Sequence, residues 1–195
     1  MGASTPLDLA ERIALIAAGL GIETALIGAY ALAAHRYVRG TDDIDLASAC
    51  DFGDLRRLET AVREAGFQTL VRAPDDEDPL GGVLVIWTEI DEEGDPIDPC
   101  EVVNFVNPYL PRRTPARDAI RNAVSLAEKP ALRYPRLADL IALKLYAESR
   151  QDDADIVEVI ARNLDADLEE VRRVAKAYGF ERIDDLIAEA EARRR

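Results

Sequence analysis

Residues 25–48 read Ala-Leu-Ile-Gly-Ala-Tyr-Ala-Leu-Ala-Ala-His-Arg-Tyr-Val-Arg-Gly-Thr-Asp-Asp-Ile-Asp-Leu-Ala-Ser. The pattern predicts an apolar strand over 24–28 ending in a tight turn at Gly28, a short alanine-rich helix to about Tyr37, a basic loop, and a second strand carrying Asp43 and Asp45. Side chains two apart on a strand point the same way, so the two carboxylates share one face while Ile44 and Leu46 take the other. Two like charges held that close call for a cation. Mg²⁺ suits them, because it takes one or two protein carboxylates and fills its remaining positions with water and phosphate oxygens. If the strands are neighbours, the Gly28 turn lies beside that ion, and the N–H groups of Gly28, Ala29 and Tyr30 at the helix start make an anion cradle. Metal and cradle together predict phosphoryl chemistry.

The spacing carries a resemblance. Gly28-Ala29, thirteen residues, then Asp43-Ile44-Asp45-Leu46 resembles the signature of the polymerase-beta-like nucleotidyltransferase superfamily: apolar-Gly-(Gly or Ser)-spacer-Asp-apolar-(Asp or Glu)-apolar. Within it, Arg39-Gly40-Thr41-Asp42-Asp43-Ile44-Asp45 is similar to the Arg-x-Thr-x-Asp-x-Asp form of the AbiEii-type toxin nucleotidyltransferases. The chain departs from the pattern at Ala29, which keeps its N–H but offers no hydroxyl. The resemblance implies an α/β (α+β) fold, a nucleotidyltransferase core with a short mixed sheet, followed by a helical C-terminal region. It implies an NTP substrate, two Mg²⁺ ions, and phosphate contacts from Gly28, Ala29, Arg39 and Thr41.

The resemblance also implies a third carboxylate from a strand beside the Asp43/Asp45 strand. Residues 82–90 predict a strand and 98–106 its hairpin partner. Glu101 lies in the strand run Glu-Val-Val-Asn-Phe and is preferred as a metal ligand with Asp43 and Asp45. The alternative is Asp98, which precedes Pro99 and reads as a turn residue.

A second block lies downstream. Leu137, Leu140, Ile141, Lys144 and Leu145 share a helical stripe, which puts an ammonium in an apolar face. A buried charge needs a partner or a task. Asp155, on the next helix, could pair with it. The segment 138–147 followed by Arg150-Gln151-Asp152-Asp153-Ala154-Asp155 again resembles the AbiEii-type families, with their Lys-Leu-x-Ala helix before Arg-x-x-Asp-x-x-Asp. It implies a nucleotide-phosphate role for Lys144, and a supporting or base role for Asp155 or Asp152.

Composition bounds the rest. At 195 residues, 48% of them apolar, the chain holds a sizeable core, read as a catalytic core over 1–110 and a helical region over 111–195. A net charge of −14 and a pI near 4.5 count against broad, non-specific nucleic-acid binding. No apolar run is long enough to span a membrane, and no basic-then-apolar leader begins the chain, so a cytoplasmic protein is expected. Cys50 and Cys100 read as small core residues, and His35 as a packing residue.

Helices are predicted over 6–20, 54–65, 168–178 and 182–193, with a strand over 67–71. Residues 107–136 hold Arg112, Arg113, Arg117, Arg121, Arg133 and Arg136 between prolines. This positive stretch either meets a nucleotide or nucleic-acid partner or is salt-bridged internally. The whole implies transfer of a nucleoside monophosphate from an NTP to an acceptor hydroxyl: a tRNA end, a protein or a small molecule. A toxin–antitoxin setting would add a cognate protein partner. The alternative is a non-catalytic partner-binding protein, an antitoxin or a degenerate homologue.

Overall fold

The computed structural model describes residues 5–41, 43–147 and 149–194. Its first helix, α1 (Pro6–Gly19), starts where local chemistry tells it to. Thr5 Oγ1 accepts from Asp8 N at 3.3 Å, and Asp8 Oδ2 accepts from Thr5 N at 2.7 Å. This reciprocal cap satisfies two otherwise orphaned donors. Leu9, Ile13 and Ala17 form the buried stripe of the helix.

Five strands form a mixed sheet: β1 (Thr24–Leu26), β2 (Ile44–Ser48), β3 (Gln68–Arg72), β4 (Val83–Trp87) and β5 (Cys100–Asn104), in the order β1-β2-β5-β4-β3. Only β2 and β5 run parallel, and β5 is the antiparallel hairpin partner of β4. One face of the sheet carries Ile44, Leu46, Leu84, Ile86, Cys100 and Val102, packed on α1 and on Leu55, Leu58 and Val62 of α3 (Phe52–Glu64). On the opposite face, Ala25, Ala47 and Phe105 lie beneath Ile120 of α4 (Ala116–Arg121). Those alanines let the helix approach closely.

Several elements are shorter than their apolar runs. The first strand ends at Leu26 because Ile27 becomes the N-cap of α2 (Gly28–Ala34), and α2 stops where Arg36 turns to φ 66°. The 82–90 run leaves the ladder after Trp87, with Ile90 bridging only to Pro96. The Arg-rich stretch holds α4 and a hairpin that the alternation did not announce, β6 (Val124–Leu126) with β7 (Lys129–Tyr134). Leu132 of β7 joins the first core, and Lys129 donates to Asp8 Oδ1 and Glu11 Oε2 at 2.6 and 2.8 Å.

Beyond it come α5 (Leu137–Ala147), α6 (Arg150–Arg162), α7 (Leu168–Ala177) and α8 (Ile183–Arg193). The last two helices are packed, since Val171, Ala175, Ile183 and Ile187 share a core with Leu140, Ile141, Ile156 and Ile160. Ala31 and Leu32 of α2 complete that core. Helix α2 therefore docks on the helical region while its first residue abuts the acid-bearing strand.

Candidate active site

The parallel register sets Asp45 directly opposite Glu101, with Val85 and Leu70 continuing the row across β4 and β3. Residues paired across a ladder point to the same face. Asp45 and Glu101 thus share the face of the sheet nearest α4. Asp43 stands just before β2 instead of within it, and Thr41 Oγ1 donates to Asp43 Oδ1 at 2.5 Å and to its carbonyl oxygen at 3.2 Å. The third-acid alternative, Asp98, lies in the turn before β5 with φ 45°.

Gly28 closes the other side. Ile27 N donates to Asp45 O at 2.9 Å, and a β-carbon on Gly28 would stand 2.3 Å from Asp45 Oδ2. Only glycine fits there, the more so at its φ of 59°. The first α2 backbone bond is Ala31 N to Ile27 O, so the N–H groups of Gly28, Ala29 and Tyr30 have no helical acceptor.

The electrostatics record a crowded site. Burial, then the Asp43 and Glu101 charges, push the Asp45 carboxyl up to about 6, against the opposing pull of Arg39 and Lys144. Burial together with Asp98 and Asp43 raises the Tyr30 hydroxyl. Glu101 is drawn to the outer strand, where Arg72 Nη2 donates to its Oε1 at 3.4 Å. Among the described residues, no three His, Cys, Asp or Glu side chains converge as a metal cluster. Asp43 and Asp45 alone match the one or two carboxylates that Mg²⁺ uses, and a cation between them would relieve the repulsion that lifts Asp45.

The cationic half comes from elsewhere in the chain. Lys144 of α5 donates to Asp155 Oδ2 at 2.7 Å and to Asp152 Oδ1 at 2.9 Å, both on α6. Arg39 Nε approaches the same Asp155 oxygen at 3.3 Å, while Gln151 Nε2 donates to Asp155 Oδ1 at 3.0 Å. Asp155 is fully buried with both oxygens engaged. In this arrangement it is the counter-ion of Lys144 and Arg39. Ser149 caps α6 by accepting from Asp152 N at 3.0 Å, which fixes the acid that Lys144 meets. Asp42, part of the quoted motif, lies outside the described residues.

His35 is structural: it bonds Pro135 O through Nε2 at 2.8 Å and meets the Tyr134 ring edge-on. Cys50 and Cys100 are both free. Part of the arginine stretch is internal too. Arg133 donates to the Ile120 and Ala123 carbonyls at 2.9 and 3.1 Å, and Arg121 pairs with Asp118. Sequence reasoning missed Arg72, because its meeting with Glu101 depends on a strand order that no local pattern encodes.

No family model matches the chain, and no curated protein matches it by sequence. Solved structures do. A crystal structure of an antigenic nucleotidyltransferase-like protein from Paracoccidioides brasiliensis matches at 15% identity with a TM-score of 0.50, covering 98% of this chain and 94% of that one. The chain has a nucleotidyltransferase-like fold. Two looser likenesses have the same extent: ANT(2")-Ia in complex with adenylyl-2"-tobramycin, at 16% identity and TM-score 0.42 over 95% and 96% of the two chains, and JHP933 from Helicobacter pylori, at 13% and 0.43 over 100% and 94%. In this nucleotidyltransferase-like chain, the Gly28 turn abuts Asp45, and Asp45 lies in register with Glu101 on the two interior strands β2 and β5.

Proposed function

We propose that the chain transfers a nucleoside monophosphate from an NTP to an acceptor hydroxyl. The observation that carries this reading is the abutment of the Gly28 turn on Asp45, in register with Glu101. Asp43 and Asp45 would hold Mg²⁺, with Glu101 joining when it leaves Arg72. When bound, the metal supplies charge neutralisation at the departing pyrophosphate and activation of the attacking hydroxyl. The N–H groups of Gly28 and Ala29 face phosphate oxygens, and Arg39 and Lys144 offset their charge. Thr41 orients Asp43. Asp155 and Asp152 set the positions of the two cations.

The acceptor is a tRNA end, a protein or a small molecule. The AbiEii-type resemblance of the Arg39-Gly40-Thr41 approach and of the Lys144/Asp155 block supports a toxin acting in the cytoplasm with a cognate antitoxin partner. A second reading, a non-catalytic partner-binding homologue, draws on Ala29 and on the lack of a converged three-acid cluster among the described residues.

The test is to incubate the protein with each α-labelled NTP, Mg²⁺, and total tRNA or lysate, beside an Asp43→Ala/Asp45→Ala control. Label in RNA, protein or a small molecule that vanishes in the control supports the transferase and names the acceptor. No label in any fraction favours the partner-binding reading.

A further inference from the structure

Three arginines outside the chain's salt bridges lie together on one surface pocket. The sequence holds 38 Asp and Glu against 24 Lys and Arg, so a guanidinium has carboxylates to spare. Yet among the described residues Arg112, Arg113 and Arg117 form no salt bridge. All three line one open pocket of about 500 Å³, together with Phe105, Asn107 and Thr114, and no acid lines it. Arg113 is pinned by its stack on the Tyr178 ring, 4.8 Å from the centroid. Arg112 and Arg117 are exposed and free to meet a ligand.

The pocket is connected to the candidate active site through a strand. Glu101, Val103 and Phe105 alternate along β5 and its continuation, so they lie on the same face. Phe105 stays in line because its N–H donates to Ser48 O at 3.0 Å. At about 3.3 Å per residue, the pocket begins about 13 Å from Glu101. The acidic loop nearby sends no carboxylate into the pocket lining. Asn107 Nδ2 donates to the carbonyl oxygens of Asp75 and Asp78, while their carboxylates accept from the loop's own N–H groups.

We propose that this pocket binds a phosphate group of the acceptor, about 13 Å from the hydroxyl that receives the nucleotide. The inference rests on the transferase reading for its geometry, and it deepens that reading by giving the acceptor a phosphate. Guanidiniums match phosphate oxygens in bidentate geometry, and Thr114 and the Asn107 region add neutral polar surface. A local cationic pocket also reconciles an anionic ligand with a chain whose net charge repels polyanions at long range. Such a phosphate comes from an oligonucleotide end or from a small phosphorylated metabolite.

The test is direct binding without NTP. A 5′-fluorescein hexaadenylate with a free 3′-hydroxyl is titrated by anisotropy against wild type, Arg112→Gln/Arg117→Gln and Asp43→Asn/Asp45→Asn, with ribose 5-phosphate as competitor. The arginine variant should bind at least about 10-fold more weakly, with a salt slope shallower by about 2, while its Mg²⁺–ATP affinity is unchanged. The aspartate variant should bind the oligonucleotide as wild type does. Equal potency of ribose 5-phosphate and hexaadenylate identifies the small-metabolite source; much tighter hexaadenylate binding identifies the oligonucleotide. Wild-type binding by the arginine variant, or no binding of either probe by wild type, overturns the proposal. Loss of nucleotide transfer with arginine-dependent binding intact would instead sink the transferase reading alone.

Discussion

Gly28 and Asp45 approach so closely that a β-carbon on Gly28 would stand 2.3 Å from Asp45 Oδ2, and Gly28 adopts φ 59°. Two separate costs therefore fall on Gly28→Ala. The left-handed backbone strains any residue with a β-carbon by about 1–2 kcal/mol, and the methyl displaces the carboxylate that the site is built on. We predict a stability loss of about 1–3 kcal/mol by urea denaturation. Nucleotide transfer should fall about 100-fold or more, since a displacement of about 1 Å at a reacting centre is enough for that.

Asp45 gives the pH dependence. Its carboxyl is raised from 3.8 to about 6 in the fold, so the folded state favours the protonated form. Stability is greatest below about pH 4 as far as this group is concerned, and is lost as pH climbs through about 6. The shift of about 2 units sets an upper bound of about 3 kcal/mol. Asp45→Asn, which mimics the protonated acid, should stabilise the metal-free protein by about 1–3 kcal/mol at pH 8 and leave it unchanged near pH 4. Denaturation curves at the two pH values check this, and equal effects at both would contradict it.

The buried ion cluster predicts an asymmetry. Asp155 is the shared counter-ion of Lys144 and Arg39, and removing it leaves two cations without it in a site that is largely closed to water. Asp155→Ala should cost about 3–5 kcal/mol, whereas Lys144→Met/Asp155→Leu should recover part of that, because it removes both buried charges and leaves only Arg39 and Asp152, which are partly open to solvent. Urea denaturation of the single and double variants measures both. A double variant as unstable as the single one would show that the cluster is not acting as a charge pair.

What the sequence disclosed follows physical range. The capped start at Thr5, the Gly28 turn and the alternation through Ile44, Asp45 and Leu46 are local, and each could be read from neighbours. The Lys144–Asp155 pair was also legible, since an ammonium in an apolar stripe demands a partner and the next helix offered one. The partnership of Asp45 with Glu101 required a likeness to known proteins, because the parallel register joins segments 56 residues apart. Arg72 on Glu101 was not legible at all, being set by the sheet order. The β6–β7 hairpin escaped because Pro130 and the surrounding arginines break the alternation, and its strands are held by Leu132 against α1 and by Arg133 against the α4 carbonyls.

The most direct measurement of the central claim compares α-labelled with γ-labelled NTP, in the presence of Mg²⁺ and the acceptor fraction. Attack at the α-phosphorus places α-label on the acceptor and γ-label in released pyrophosphate, and both disappear in Asp43→Ala/Asp45→Ala. Transfer of γ-label to the acceptor, or α-label transfer that survives that double substitution, would contradict the account.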